Sequence, residues 1–171
     1  MSDIQSDKFY PLDVSNPPNG WIAVYVKDIA KEIRPGFASG KHNSSGEGVP
    51  HIRPMNIDRR GRLNLEEVKF VSGETILRLA CGDILFNNTN SPALIGKTTA
   101  ITQNDNLAFS NHMTRLRLSS GHDFRFIAHQ LHYLWSRGYF RNRCVNHVNQ
   151  ASISKKALAN TVPLLLPPYS E

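Results

Sequence analysis

At Asp123 the hydrophobic pattern of this chain changes period. Downstream, Phe124, Ile127, Ala128, Leu131, Leu134 and Trp135 recur at three- and four-residue steps as far as Gly138. With Asp123 as N-cap, that spacing predicts one well-defined amphipathic helix. Upstream, short segments rich in β-branched and aromatic residues alternate with turn residues, which predicts strands over 49–53, 68–71, 83–86, 95–101 and 112–118. Strands first and helices later define an α+β domain.

The remaining elements are shorter. Residues 21–25 read as a strand, and Val26, Ile29, Ala30 and Ile33 follow helical spacing, which predicts one or two turns of helix stopping at Arg34-Pro35-Gly36. From Pro35 to Gly48 glycine, serine and asparagine dominate, so an exposed, mobile loop carrying Lys41 and His42 is expected. A second helix is expected from Ser154. Residues 161–166 should form an edge strand, because Pro163 has no N–H for a central ladder. Asn16-Pro17-Pro18-Asn19-Gly20 forbids regular structure, so order is expected to begin at Trp21. The domain is placed at 21–168, with 1–20 as an N-terminal extension.

At 171 residues the chain suffices for one domain with a real core, since such a domain buries roughly 70% of its unfolded surface. The first ten residues contain Asp3, Asp7 and Lys8 and lack the apolar run of a secretory signal. No apolar run approaches the ~18 residues of a membrane span. Cys81 and Cys144 stand alone without a C-x-x-C pair, which fits reduced thiols and a cytoplasmic setting.

Catalytic constellations fail on their spacing. Asn16-Pro17-Pro18 is followed by Asn19 where an amino-methyltransferase needs an aromatic residue, and Pro167-Pro168-Tyr169 follows Leu166 in place of Asp or Asn. No glycine-rich strand-to-helix turn accompanies either. His129 and His132 share a helix, but no further ligand completes a metal shell, so they read as structural histidines. The Cys144 and His147 pair is close in sequence only, and the acidic residues lack two-metal spacing.

Features suited to a polyanion are more coherent. Twenty Lys+Arg against fourteen Asp+Glu give +6. Arg59, Arg60 and Arg62 share a turn, Arg115 and Arg117 share a strand face by period two, and Arg137, Arg141 and Arg143 follow the main helix. Cations so grouped read either as phosphate contacts, each steepening log K against log salt by roughly 0.9, or as plainly solvated surface charge. The chain holds fifteen asparagines, whose amides can pair bidentately with adenine in the major groove. Asn87-Asn88-Thr89-Asn90-Ser91, followed by Gly96-Lys97, concentrates five hydrogen-bonding side chains and reads either as a groove-reading tip or as an asparagine-rich hairpin loop.

These blocks resemble the target-recognition domain of a type I restriction-modification specificity subunit. Gly20-Trp21 with Val26-Lys27-Asp28-Ile29 is similar to its start, and His51-Ile52-Arg53-Pro54-Met55-Asn56-Ile57 with Gly61-Arg62-Leu63 to its second block. The most specific block is Gly82-Asp83-Ile84-Leu85-Phe86-Asn87-Asn88-Thr89-Asn90-Ser91 with Ile95-Gly96-Lys97. The closing stretch Asn149-Gln150-Ala151-Ser152-Ile153-Ser154, then Val162 to Glu171, also matches, with 169–171 as the start of a truncated linker to a conserved helix.

The resemblance implies an α+β fold with a twisted, β-helix-like strand region, reading one half of a split DNA target. It places chemistry elsewhere: no cofactor in this chain, adenine methylation with S-adenosylmethionine in methyltransferase subunits, and ATP- and Mg-dependent cleavage in a restriction subunit. The expected DNA contacts are Asn87, Asn88, Asn90 and Ser91 in the groove, with Lys41, Arg53, Arg59, Arg60, Lys97 and Arg115 beside them or on the backbone. Two rivals are the recognition region of a single-chain restriction-methyltransferase and a non-DNA protein-interaction domain.

Overall fold

One strand, β5 (Asp83–Asn87), is buried at every position and organises the molecule. The computed structural model describes residues 4–73, 77–148 and 150–168. Ile84 and Phe86 point into one apolar cluster and Leu85 into another, which explains the uninterrupted run Ile84-Leu85-Phe86. Each such fully buried side chain contributes about 1.5–3 kcal/mol of transfer free energy.

β5 lies inside an antiparallel four-stranded sheet ordered β2 (Ala30–Pro35), β9 (Met113–Leu118), β5, β7 (Thr98–Ala100). Against it packs α2 (Phe124–Ser136), whose Ile127, Leu131 and Leu134 meet Ile84, Phe86 and Leu116. The helix starts where Asp123 accepts hydrogen bonds from the Arg125 and Phe126 amides, at 2.7 and 3.0 Å. It ends at Gly138, whose φ of +77° lets the Tyr139 amide reach back to the Leu134 carbonyl.

Three smaller sheets complete the fold. β1 (Ile22–Tyr25) pairs with β12 (Pro163–Leu166). β3 (Val49–Ile52) lies between antiparallel β4 (Lys69–Val71) and parallel β8 (Ala108–Phe109). β11 (Ala151–Ser152) lies between β10 (Val145–Asn146) and β6 (Thr89–Asn90). α3 (Lys155–Thr161) follows its cap Ser154, as its sequence predicts. The α+β class holds, with the strands divided among four small sheets.

Three expectations change. Of the one or two helical turns expected after Tyr25 the first forms, α1 (Val26–Ile29), and Ala30–Pro35 is strand β2, whose pairing covers backbone groups along β9 that would otherwise lack partners. The expected 95–101 strand shortens to 98–100, because Gly96 turns the chain with φ +95°. A Cβ there would lie 2.2 Å from the Phe140 ring. Order does not begin at Trp21: Tyr10 and Val14 are buried in the main cluster, Tyr10 edge-on to Tyr139 at 5.5 Å. The linker expected at 169–171 lies outside the described residues.

Candidate nucleic-acid interface

A cleft of about 630 Å³ opens where five separate segments meet. Its base is β3, whose parallel pairing with β8 sets His51 beside the Ser110-Asn111-His112 turn, with the Ser110 amide bonded to the Ile52 carbonyl at 2.9 Å. Arg53 and Met55 form one wall just after β3. Asn90 and Ser91 form another, held by β6 pairing to β11, and Gln150 lies beside them. Ser39 and His42 enter from the 36–48 loop. That loop is anchored at Gly36, where a Cβ would meet the Phe109 carbonyl at 2.2 Å, and at Asn43, which exchanges backbone hydrogen bonds with Phe70.

The cleft has a distinctive electrostatic character. His42 Nε2 and His51 Nδ1 share a hydrogen bond at 2.9 Å. Burial, then the His42 ring beside it, pushes His51 down to about 4. Burial and the charges of Arg53 and Lys69 push His42 down as well. Both rings are therefore neutral near pH 7, and the positive charge rests on Arg53. Arg53 Nε is itself shielded from solvent and has no hydrogen-bond partner.

Of the residues expected to touch DNA, the structure gathers Arg53, Asn90 and Ser91 in this cleft, and Lys41 is exposed on the same loop as His42. Arg59 and Arg60 are exposed, but their turn leans on α2, where His132 meets the Arg59 carbonyl at 3.2 Å. They are not among the cleft-lining residues.

Four of the expected contacts are scaffold instead. Asn87 is fully buried and donates to the Leu94 carbonyl at 3.0 Å, closing the 91–96 turn. Asn88 donates to Asn111 O and Thr114 Oγ1. The Lys97 ammonium is buried against the Ile57 carbonyl. Arg115 is buried between Glu32, the Arg78 carbonyl and Asp83. Asn87-Asn88 fails as a groove tip because the chain runs straight from β5 into β6. Both amides spend their N–H donors inside the fold, and Asn87 Oδ1 is buried without a partner.

Other motifs take structural roles. His132 accepts from the Thr98 amide and faces the Arg59 carbonyl, tying β7 and the 58–62 turn to α2. His147 pairs with Ser152 Oγ at 3.1 Å, while Cys144 Sγ meets the Arg141 carbonyl, so no Cys–His dyad forms. Among the described residues, no three His, Cys, Asp or Glu side chains gather as a metal-binding group. Likewise none of the described helices is long and apolar enough to cross a membrane.

Sequence reasoning missed His51, Asn111, His112 and Gln150 as cleft residues. They converge through the β3–β8 and β6–β11 pairings, and no local pattern announces such long-range contacts.

Fold and cleft together define a small α+β domain with a cation-bearing groove. No protein-family model matches the chain. It is 27% identical, over 98% of its length, to a protein described as a type I restriction enzyme MjaX specificity subunit from Methanocaldococcus jannaschii. The chain spans 40% of that relative. Its fold matches the HsdS subunit from Thermoanaerobacter tengcongensis with a TM-score of 0.66 at 22% identity, over 94% of this chain and 37% of that one. It also matches the type I restriction-modification S subunit from M. genitalium, with a TM-score of 0.57 at 12% identity over 90% of this chain and 36% of that one. A chain from a structural study of assembly and conformational transition in the type I R-M system gives 0.65 at 21% identity, over 90% and 35%. The chain thus has a fold found within type I specificity subunits.

Proposed function

We propose that this chain reads DNA sequence as a target-recognition domain of a type I specificity subunit, in the cytoplasm, with duplex DNA and methyltransferase and restriction subunits as partners. The observation that carries this reading is the cleft itself. Arg53 places a guanidinium on the cleft wall, and Asn90, Ser91 and Gln150 offer groups that can pair with base edges. Lys41 on the neighbouring loop supplies charge for a phosphate. The chain's own residues supply recognition only. S-adenosylmethionine, ATP and Mg belong to partner subunits in this reading, which therefore assigns the chain no reaction.

The test is to exchange this domain into a complete specificity subunit, express it with its methyltransferase, and map methylated adenines across the genome. One half of the methylated motif is expected to change. An unchanged motif rejects the reading. Binding of the chain to duplex DNA that ignores salt between about 50 and 200 mM would favour a protein-interaction domain instead.

A further inference from the structure

We infer that Met55 is a specificity-determining residue: carried on the cleft wall by a pinned turn, its aliphatic side chain selects the 5-methyl group of a thymine. The inference rests on the DNA-recognition reading above and adds one base to what the cleft accepts.

The backbone on both sides of Met55 is committed to the fold. Pro54 opens a single 3-10 turn, Pro54–Asn56, and its ring fixes φ at the entry. Asn56 is 2% exposed, and its side chain accepts from the Arg53 amide at 3.0 Å and donates to the Asn64 carbonyl at 3.0 Å. Ile57 is buried in the same apolar cluster as Leu85, and Lys97 donates to its carbonyl. A turn pinned on both flanks gives the residue between them a fixed place.

Met55 itself takes no part in that packing. It is 57% exposed, and of the large apolar side chains left in water among the described residues it is the one that lines this cleft. Single exposed apolar residues are common on protein surfaces. This one is set apart by its neighbours, since it follows Arg53 on one wall and shares the cleft with Asn90, Ser91 and Gln150.

Those neighbours recognise by hydrogen bonding. Arginine pairs with guanine, asparagine or glutamine with adenine, and serine with either, so none of them reads a methyl group. The C5 methyl of thymine is the apolar group that an unmodified base pair presents at its edge in the major groove. A duplex seated against Arg53 and Asn90 brings base edges to the wall that carries Met55. Contact between the thioether chain and that methyl removes apolar surface of both from water. Cytosine lacks the methyl and holds an amino group beside the same position, which a thioether sulfur, a weak acceptor, satisfies poorly.

Three measurements on the whole chain test this. Selection from a randomised duplex library gives the preferred motif of the wild type, which should contain a fixed thymine on one strand or the other. Each thymine of that motif is then replaced singly by uracil, which differs only in lacking the methyl group. At one position the wild type should lose roughly 4-fold in affinity, the scale of one buried carbon group. Met55→Ala and Met55→Gln should bind thymine and uracil duplexes equally at that position and keep the rest of the motif. Their urea midpoints should match wild type, because the side chain is exposed. A motif without a fixed thymine, a wild type indifferent to every uracil, or variants that keep the wild-type uracil penalty each overturn this assignment alone. Lowered midpoints in both variants overturn it too, by making Met55 a structural residue. A wild-type chain that selects no motif overturns the recognition reading, and the assignment with it.

Discussion

The side-chain amide of Asn88 donates to Thr114 Oγ1 at 2.8 Å and to the Asn111 carbonyl at 3.1 Å, while its carbonyl accepts from Thr89 Oγ1 at 2.7 Å. One buried side chain thus joins the β5–β6 junction to β9 and to the turn on the cleft floor. Asn88→Ala leaves these groups without their partner and should cost about 1–3 kcal/mol, or several degrees in Tm for a domain this size. Asn90→Ala, half-buried on the cleft wall, should stay within about 0.5 kcal/mol of wild type. Urea denaturation of the two variants separates scaffold from surface, and equal losses would refute the distinction.

Asp83 shows the same division for charge. It is 1% exposed, and Arg117 grips it through Nε at 2.7 Å and Nη2 at 2.9 Å. Arg115 lies 3.9 Å away and is itself held by Glu32. Asp83→Ala leaves the buried guanidinium of Arg115 short of a counter-charge and should cost about 3–5 kcal/mol. Because the site is shielded from solvent, added salt should change this loss little. A variant with wild-type stability would mean that the pair carries no net energy.

Much of the fold was legible because its signals are local. Asp123, the 124–135 periodicity and Gly138 defined α2, and Ser154 defined α3, through capping chemistry that involves only neighbours. The apolar run 84–86 announced a strand covered on both faces. What stayed hidden depends on distant partners. Val26, Ile29, Ala30 and Ile33 fit a helix until β9 claims residues 30–35. Arg115 and Arg117 alternate as a DNA-facing pair would, yet Asp83 and Glu32 turn them into a structural network. Asn87 and Asn90 look alike in sequence, and only pairing of β6 with β11 decides that one is buried and the other lines the cleft.

The cleft histidines give the fold a pH dependence. In the unfolded chain His51 titrates near 6.5, whereas burial and the adjoining His42 ring hold it at about 4 in the fold. Between these values the unfolded chain takes up a proton that the folded one refuses. The contribution is therefore fully present above about 6.5 and is lost progressively as pH falls toward about 4. His42 and His132 are shifted in the same direction. Urea midpoints measured from pH 7.5 to 4.5 should fall, and His51→Phe should flatten that slope. An equally steep decline in the variant would exclude His51 as a source.

The segment before Trp21 belongs to the core in energetic terms. Tyr10 stacks edge-on against Tyr139, whose hydroxyl donates to Asp7 at 3.0 Å, and Arg143 also pairs with Asp7. Tyr10→Ala removes a ring from the main cluster and should cost about 3–5 kcal/mol, the range for large aromatic truncations. Calorimetry of this variant should show a lower Tm. An unchanged Tm would make 4–20 a dispensable extension.

Three cations that the sequence grouped together should respond in two different ways. Arg53 borders the cleft with a buried, unsatisfied Nε, and Lys41 is exposed on the adjoining loop. Each, if it neutralises a phosphate, adds about 0.9 to the slope of log K against log salt. Arg53→Ala and Lys41→Ala should therefore weaken binding across sequences and flatten that slope by about one unit each. Lys97 differs because its ammonium is buried on the Ile57 carbonyl, holding the 57–62 turn against the strand that follows. Lys97→Ala strips that carbonyl of its donor, so thermal stability should drop by a measurable fraction of the ~1–3 kcal/mol range for a lost buried partner. Its salt slope should match wild type once folding is accounted for. A flattened slope in Lys97→Ala, or an unchanged one in both Arg53→Ala and Lys41→Ala, would move the DNA-facing surface away from this cleft.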